Sequence, residues 1–220
     1  MTVKNHIVMM GPPGGGKGTQ AQILHDRLGI PTYSVGELLR RVSSEETELG
    51  RKVKALIDKG SLVPDEVSSE IVSHTMKTQE VREKGFILDG FPRSIGQAKA
   101  LTRILEEEGL PLDVVLLLEV PDSYIEERII GRYACARCGS MYHGKFNPPK
   151  TGDSCDVCGG KEFVRRADDN LETVQKRLDI YRSVTMPVIP YYEEKGLLVS
   201  VDGSGPINVV SEKIKKVIGG

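Results

Sequence analysis

Lys17 closes a glycine-rich run, Gly11-Pro12-Pro13-Gly14-Gly15-Gly16-Lys17-Gly18-Thr19, and residues of these types in this order hold phosphate. Glycines at 11 and 16 with Lys17 behind them fit the spacing G-x-x-x-x-G-K, in which successive backbone N–H groups converge on one concavity. A helix beginning near Lys17 would add its unsatisfied N-terminal N–H groups and the positive end of its dipole. Gly14, Gly16, Lys17, Gly18 and Thr19 are then the residues expected against a nucleotide's phosphates. A flexible surface loop is the alternative, but Ile7-Val8-Met9-Met10 reads as a strand before the run and an amphipathic pattern follows it. Gly18 stands where a Ser or Thr hydroxyl usually ligates Mg²⁺, with Thr19 one place later.

A second group lies at Asp89-Gly90-Phe91-Pro92-Arg93, with Gln97 beyond it, after the strand-like Gly85-Phe86-Ile87-Leu88. In a parallel sheet ligands bind outside the carboxyl ends of the strands, so Asp89 is expected in the same crevice as the phosphate loop. Asp89 suits a water-mediated hold on Mg²⁺, and Arg93 suits a bidentate phosphate contact. Gln97 offers the donor and acceptor that an adenine edge requires. Read singly, Asp89 could be a helix cap and Gln97 a solvated side chain; their company with the phosphate loop favours a site.

Cys135-x-x-Cys138 and Cys155-x-x-Cys158 form a third group, with spacing in the range of a four-thiolate zinc site. Disulfides are the alternative, yet a chain with no export signal meets reducing conditions. Four thiolates leave no open position, so the Zn²⁺ is expected to be structural. His143 could replace one ligand, and is otherwise read as a loop residue.

These groups need a scaffold, and strand and helix signals alternate along the chain. The strand candidates are Ile7-Val8-Met9-Met10, Thr32-Tyr33-Ser34-Val35, residues 85–89, the wholly apolar Val114-Val115-Leu116-Leu117-Leu118, and residues 197–201. Helical stripes recur at Ala21, Ile23, Leu24 and Leu28; at Ile95, Ala98, Leu101 and Leu105; at Leu171, Val174, Leu178 and Tyr181; and at Ile207, Val210, Ile214 and Val217. All are assigned to core. The expectation is an α/β fold: a five-stranded parallel sheet of phosphate-loop type flanked by helices. Two segments interrupt the alternation, a helical, charge-rich one near 36–64 and a cysteine-bearing one near 133–169, and both read as mobile additions.

The 220 residues suffice for one α/β domain with insertions, and 30 Lys and Arg against 31 Asp and Glu leave a net charge of −1. That balance, with 5% aromatic residues, argues against a nucleic-acid partner and against a nucleotide-switched zinc-ribbon protein that binds one. No apolar run approaches a membrane span or a signal sequence, so a cytoplasmic protein is expected. Nothing calls for an obligate partner, so a monomer is expected.

Taken in order, several motifs resemble one family: Gly11 to Thr19 with its G-K-G-T ending, Ser34-Val35-Gly36-Glu37-Leu38-Leu39-Arg40, Leu62-Val63-Pro64-Asp65, and Asp89 to Arg93 with Gln97. They continue in Arg128, Gly131-Arg132, the cysteine insert, Arg166-Ala167-Asp168-Asp169, Arg177 and Val201-Asp202-Gly203. The chain is similar over essentially its whole length to the adenylate kinases with a long, zinc-binding lid, among the nucleoside monophosphate kinases. The resemblance implies Mg²⁺-dependent phosphoryl transfer, ATP + AMP = 2 ADP. It implies a core of residues 1–33, 64–130 and 170–220, an AMP-binding insert at 34–63 and a zinc-binding lid at 131–169. It further implies Arg40 and Arg93 on the AMP phosphate, Val35, Val63 and Gln97 about its base, Arg132 and Arg166 descending on the ATP phosphates, Arg177 between the substrates, and Arg128 on the ATP adenine. By the same resemblance Asp168 and Asp169 orient the arginines. The chain departs at Val35, where the family commonly has Thr; with that hydroxyl gone, Gln97 and the backbone of 62–64 are left to select adenine, and UMP or CMP are the competing acceptors.

Overall fold

A computed structural model describes residues 3–166 and 168–219. In chain order the elements are β1 (His6–Met10), α1 (Lys17–Leu28), β2 (Thr32–Ser34), α2 (Val35–Ser43), α3 (Glu48–Asp58), α4 (Asp65–Met76), α5 (Gln79–Lys84), β3 (Phe86–Asp89), α6 (Ile95–Glu108), β4 (Val114–Glu119) and α7 (Asp122–Ile130). There follow β5 (Arg132–Cys135), β6 (Met141–His143), β7 (Phe163–Val164), α8 (Leu171–Ile180), a π-helical segment (Tyr181–Thr185), α9 (Val188–Glu194), β8 (Leu198–Asp202) and α10 (Ile207–Ile218).

The expected five strands pair in the order β2-β3-β1-β4-β8, all parallel. Because strand side chains alternate, each strand feeds two cores. Val8, Met10, Phe86, Leu88, Val115 and Leu117 face α4, α6 and α9, while Ile7, Met9, Ile87, Val114, Leu116 and Leu118 face α1 and α10. Both faces are covered, which is why β4 is apolar at every position up to Leu118. Each such Val, Leu or Ile contributes about 1.5–3 kcal/mol on burial. From β1 the chain crosses one way to β2 and β3 and the other way to β4 and β8, leaving a crevice at the carboxyl end of β1. The register sets Met9 and Ser34 on either side of Asp89, so the phosphate loop and the 89–97 turn leave the sheet together.

Between α7 and α8, which pack through Ile125, Ile129, Val174 and Leu178, stands a separate three-stranded antiparallel sheet in the order β6-β5-β7. Periodicity did not forecast this sheet. Its strands are short, and its small core is Tyr133, Tyr142 and Phe163 packed against cysteines, with both tyrosine rings edge-on to Phe163.

Four further expectations are corrected. Val35 is the first residue of α2, not the end of a strand. Leu171, assigned to core, is 60% exposed because it opens α8 one turn before the face that meets α7. Tyr181 is half-buried in the π-helical segment and does not continue the stripe. His143 lies in β6, its Nε2 3.0 Å from the Glu127 carbonyl, where it must donate, and its Nδ1 accepting from the backbone N–H groups of Lys145 and Phe146 at 3.0 and 3.1 Å. His143 is thereby taken up in anchoring the small sheet to α7. Gly131, between α7 and β5, makes room for the ring: a Cβ there would lie 2.2 Å from His143 Nε2. Gly131→Ala is expected to cost about 1–3 kcal/mol by overpacking, read as a lowered unfolding midpoint; an unchanged midpoint refutes that role for His143.

Candidate active site

The loop after β1 takes its shape from glycines at positive φ. Gly11 (φ 140°) passes so close to β4 that a Cβ would sit 2.6 Å from the Leu118 carbonyl oxygen. Gly16 (φ 91°) is the N-cap of α1, so the helix begins at Lys17 as its spacing required. Gly14 lies against Ile125 and Ile129 of α7, and Thr19 is half-buried in the first turn of α1. The Lys17 ammonium arches over the loop and donates to the carbonyls of Gly11 at 2.9 Å and Pro12 at 2.8 Å. Burial lowers it to about 8; Asp89 opposes that shift, and Arg93, Arg177 and Arg132 add to it. Gly18 opens toward Asp89, whose carboxylate oxygen would be 3.4 Å from a Cβ there, so Asp89 does share the loop's crevice.

The arginines converge from separate parts of the chain. Arg93 donates from Nε to the Gly90 carbonyl at 2.8 Å, and its guanidinium lies with that of Arg40 against Gly36. Asp168 is the hub: Arg40 of α2 reaches it at 3.3 Å and Arg177 of α8 at 3.0 Å. Arg132 of β5 grips Asp169 through Nε at 2.9 Å and also through Nη2. Glu37 joins Arg40 at 3.0 Å and Arg166, two residues beyond β7. Ala167 lies outside the described residues.

Burial works to raise the Asp168 carboxyl, but Arg40, Arg177, Arg132 and Arg166 together hold it below the usual carboxylate range. Burial lowers Arg177 to about 10 against the pull of Asp168, and lowers Arg93 and Arg166 as well. Six cations (Lys17, Arg40, Arg93, Arg132, Arg166, Arg177) therefore face four carboxylates (Glu37, Asp89, Asp168, Asp169) in one crevice. The surplus is positive and buried, which suits polyphosphate.

Beside Arg93 lies a narrow cleft of about 20 Å³ that brings Val35, Val63 and Gln97 together with Leu39, Leu62, Ser68 and Phe91. Gln97 is 2% exposed, so the solvated reading fails. On the far side of the phosphate loop, Arg128 donates to the carbonyl of Gly203 at 3.1 Å and lies within 6.0 Å of the ring centres of Tyr124 and Phe146. A larger cavity, about 420 Å³, lies between α6 and α9, is mainly apolar, and is lined by none of these residues.

The four thiols also meet. Their Sγ atoms all lie within 4.8 Å of one another, with Cys135 to Cys158 at 3.6 Å and Cys138 to Cys155 at 3.5 Å. A disulfide requires about 2.05 Å. Zn–S bonds of about 2.3 Å place tetrahedral sulfurs about 3.8 Å apart, so the set fits a metal cage. Each pair closes the same knuckle: Gly139 N–H donates to the Cys135 carbonyl at 2.9 Å, and Gly159 N–H to the Cys155 carbonyl at 2.8 Å.

Two residues named within the family motifs were given no role of their own by the sequence. Beyond its motif, Glu37 signalled itself only by its i, i+3 spacing to Arg40. Asp65, which accepts from Gln97 and Ser94, gave no local signal because its partners lie on another helix.

A phosphate loop at a parallel sheet's switch point and a cationic crevice drawn from β5, α2 and α8 beside it define a phosphate-loop kinase acting between nucleotides. The family model described as adenylate kinase matches residues 9–197. Over 97% of this chain and 98% of theirs, the sequence is 54% identical to the adenylate kinase of Methanosarcina barkeri and 46% identical to that of Paramagnetospirillum magneticum. It is 47% identical to that of Bacillus velezensis over 98% of each. The chain belongs to the adenylate kinase family.

Proposed function

We infer that the chain is an ATP:AMP phosphotransferase that makes two ADP by direct in-line transfer, and that the residues above divide the work between two nucleotide sites. The observation that carries the reading is the meeting of Lys17, Arg40, Arg93, Arg132, Arg166 and Arg177 around Asp89, Asp168 and Asp169. In it, Gly14, Gly16, Lys17, Gly18 and Thr19 cradle the ATP phosphates and Arg128 flanks the ATP base. Arg40 and Arg93 grip the AMP phosphate, with its base among Val35, Val63 and Gln97. Arg132, Arg166 and Arg177 lie along the path of the transferred group. An AMP phosphate oxygen is already an anionic nucleophile, so the barrier is one of charge and position, and no protein acid, base or covalent intermediate is required.

Residues 34–63 and 131–169 serve as mobile inserts on the core 1–33, 64–130 and 170–220. Arg166 and Asp168 of one insert pair with Glu37 and Arg40 of the other, the contacts expected when both are down. Closure keeps water from the γ-phosphoryl group. Mg²⁺ carried with ATP would neutralise phosphate charge, held by phosphate oxygens and, through water, by Asp89. Structural Zn²⁺ would sit on Cys135, Cys138, Cys155 and Cys158. No helix among the described residues is long and apolar enough to cross a membrane, and the reading extends to a cytoplasmic, monomeric enzyme with no nucleic-acid partner.

The test is ADP formation from ATP with AMP, UMP, CMP and GMP in parallel. Preference for AMP is expected; absence of transfer to any acceptor overturns the reading. Val35, 2% exposed and lining the cleft, gives a sharper prediction. Val35→Thr keeps the shape and restores a hydroxyl, so the KM for AMP is expected to fall about twofold to tenfold, one hydrogen bond's worth, with the KM for ATP unmoved. Equal shifts in both would place residue 35 away from the AMP base.

A further inference from the structure

Gln97 lines the monophosphate cleft, and its amide is not free to turn. A backbone N–H only donates and a carboxylate only accepts. The Arg93 N–H at 2.7 Å therefore demands Oε1 on one side, and Asp65 Oδ1 at 2.8 Å demands Nε2 on the other. Each end of the amide keeps one unused valence, a lone pair and an N–H, in a fixed spatial order. Order is what separates purines at this edge: a 6-amino purine sets a ring acceptor beside an amino donor, and a 6-oxo purine sets a ring N–H beside a carbonyl acceptor.

Asp65 is itself anchored. Its second oxygen accepts from Ser94 Oγ at 2.6 Å, and Ser94, the N-cap of α6, accepts in turn from the Gln97 N–H at 3.1 Å. Gly96 clears the approach, since a Cβ there would lie 2.7 Å from Asp65 Oδ2. Asp65 is also the first residue of α4, where the chain returns from the 34–63 segment, so one carboxylate ties that return to the start of α6.

We propose that Asp65 is a positioning residue that locks the Gln97 amide in the orientation reading a 6-amino purine, and so sets the choice of acceptor monophosphate against 6-oxo purines. The proposal rests on the reading of this cleft as the acceptor-base pocket. Asp65 touches no substrate and acts through Gln97.

The experiment is steady-state transfer from ATP to AMP or to inosine monophosphate in Asp65→Ala, Asp65→Asn, Gly96→Ala and Gln97→Ala. In Asp65→Ala, the AMP-over-inosine-monophosphate ratio of kcat/KM is expected to fall about tenfold, the upper range for one hydrogen bond, with the KM for ATP within about twofold of wild type. Asp65→Asn is expected to recover most of the ratio, because its amide oxygen still accepts from Nε2. Gly96→Ala, which crowds the same carboxylate, is expected to lower the ratio and remains informative where Asp65→Ala does not fold. A merely structural role would raise both nucleotide KM values and leave the ratio fixed, which overturns the proposal. Should Gln97→Ala move the ratio while Asp65→Ala and Gly96→Ala leave it, the pocket reading stands and the positioning role is refuted. Should Gln97→Ala leave the ratio unchanged, the pocket reading fails and the proposal with it.

Discussion

Replacing Lys17 by Met is expected to lower kcat by about 10²–10³, the scale for losing one charge-stabilising donor aimed at a transition state. The methionine fills the space of the stem, so the loop, fixed by Gly11, Gly14 and Gly16, should keep its form. What disappears is the ammonium, whose present partners are the Gly11 and Pro12 carbonyls of its own loop. The wild-type pH profile should make the same point. With burial holding Lys17 at about 8, its charge is complete well below pH 8 and is lost as pH rises through that value. The free enzyme's kcat/KM for ATP should therefore decline above about pH 8. In the complex, nucleotide phosphates favour the ammonium, so the alkaline limb of kcat should lie higher. Lys17→Arg stays charged throughout and should abolish that limb at a lower plateau, since a guanidinium fork does not match a point ammonium. A limb that persists in Lys17→Arg would assign it to another group, and an unimpaired Lys17→Met would remove Lys17 from the chemistry.

The residues most legible in the sequence are those whose signals are local. The phosphate loop could be read because Ile7 to Met10, the glycine spacing and the α1 stripe are contiguous, and β4 because burial on both faces demands an unbroken apolar run. Val35 misled because a β-branched residue after Thr32-Tyr33-Ser34 extends a strand pattern, whereas burial of its side chain in the cleft goes with a helix start at that residue. The small sheet stayed hidden for a different reason. Its order comes from three aromatic rings and four thiols scattered over about thirty residues, and no helix or strand period reports such contacts. Arg93 could be named from its place after a strand, but the other arginines only through family resemblance. Their convergence on Asp168 and Asp169 joins β5, α2 and α8, which no spacing rule connects.

Removing the metal that the four cysteines are proposed to hold should act on catalysis from a distance. β5 pairs with β7 through Ala134 to Val164 and Cys135 to Phe163, so this ladder sets where Arg132, at the start of β5, and Arg166, just past β7, can reach. Cys135 closes one strand of the ladder, and the Cys155–Cys158 knuckle lies on the segment that leads into the other. A cluster of three aromatic rings is too small a core to hold that register alone. Metal then supplies what apolar burial does not, as it does in small metal-dependent domains. Chelation, or Cys155→Ser, is expected to lower the unfolding midpoint by roughly 10 °C or more, since loss of several kcal/mol shifts a chain of this size by about 2–4 °C for each. The kcat should fall as Arg132 and Arg166 lose their register, while binding of AMP at Arg40 and Arg93, both outside the cysteine-bearing insert, should change little. Elemental analysis should find one zinc per chain, lost together with the stability. A stripped protein that unfolds at the unstripped temperature would refute the structural role, and iron in place of zinc would keep the cage but change its occupant.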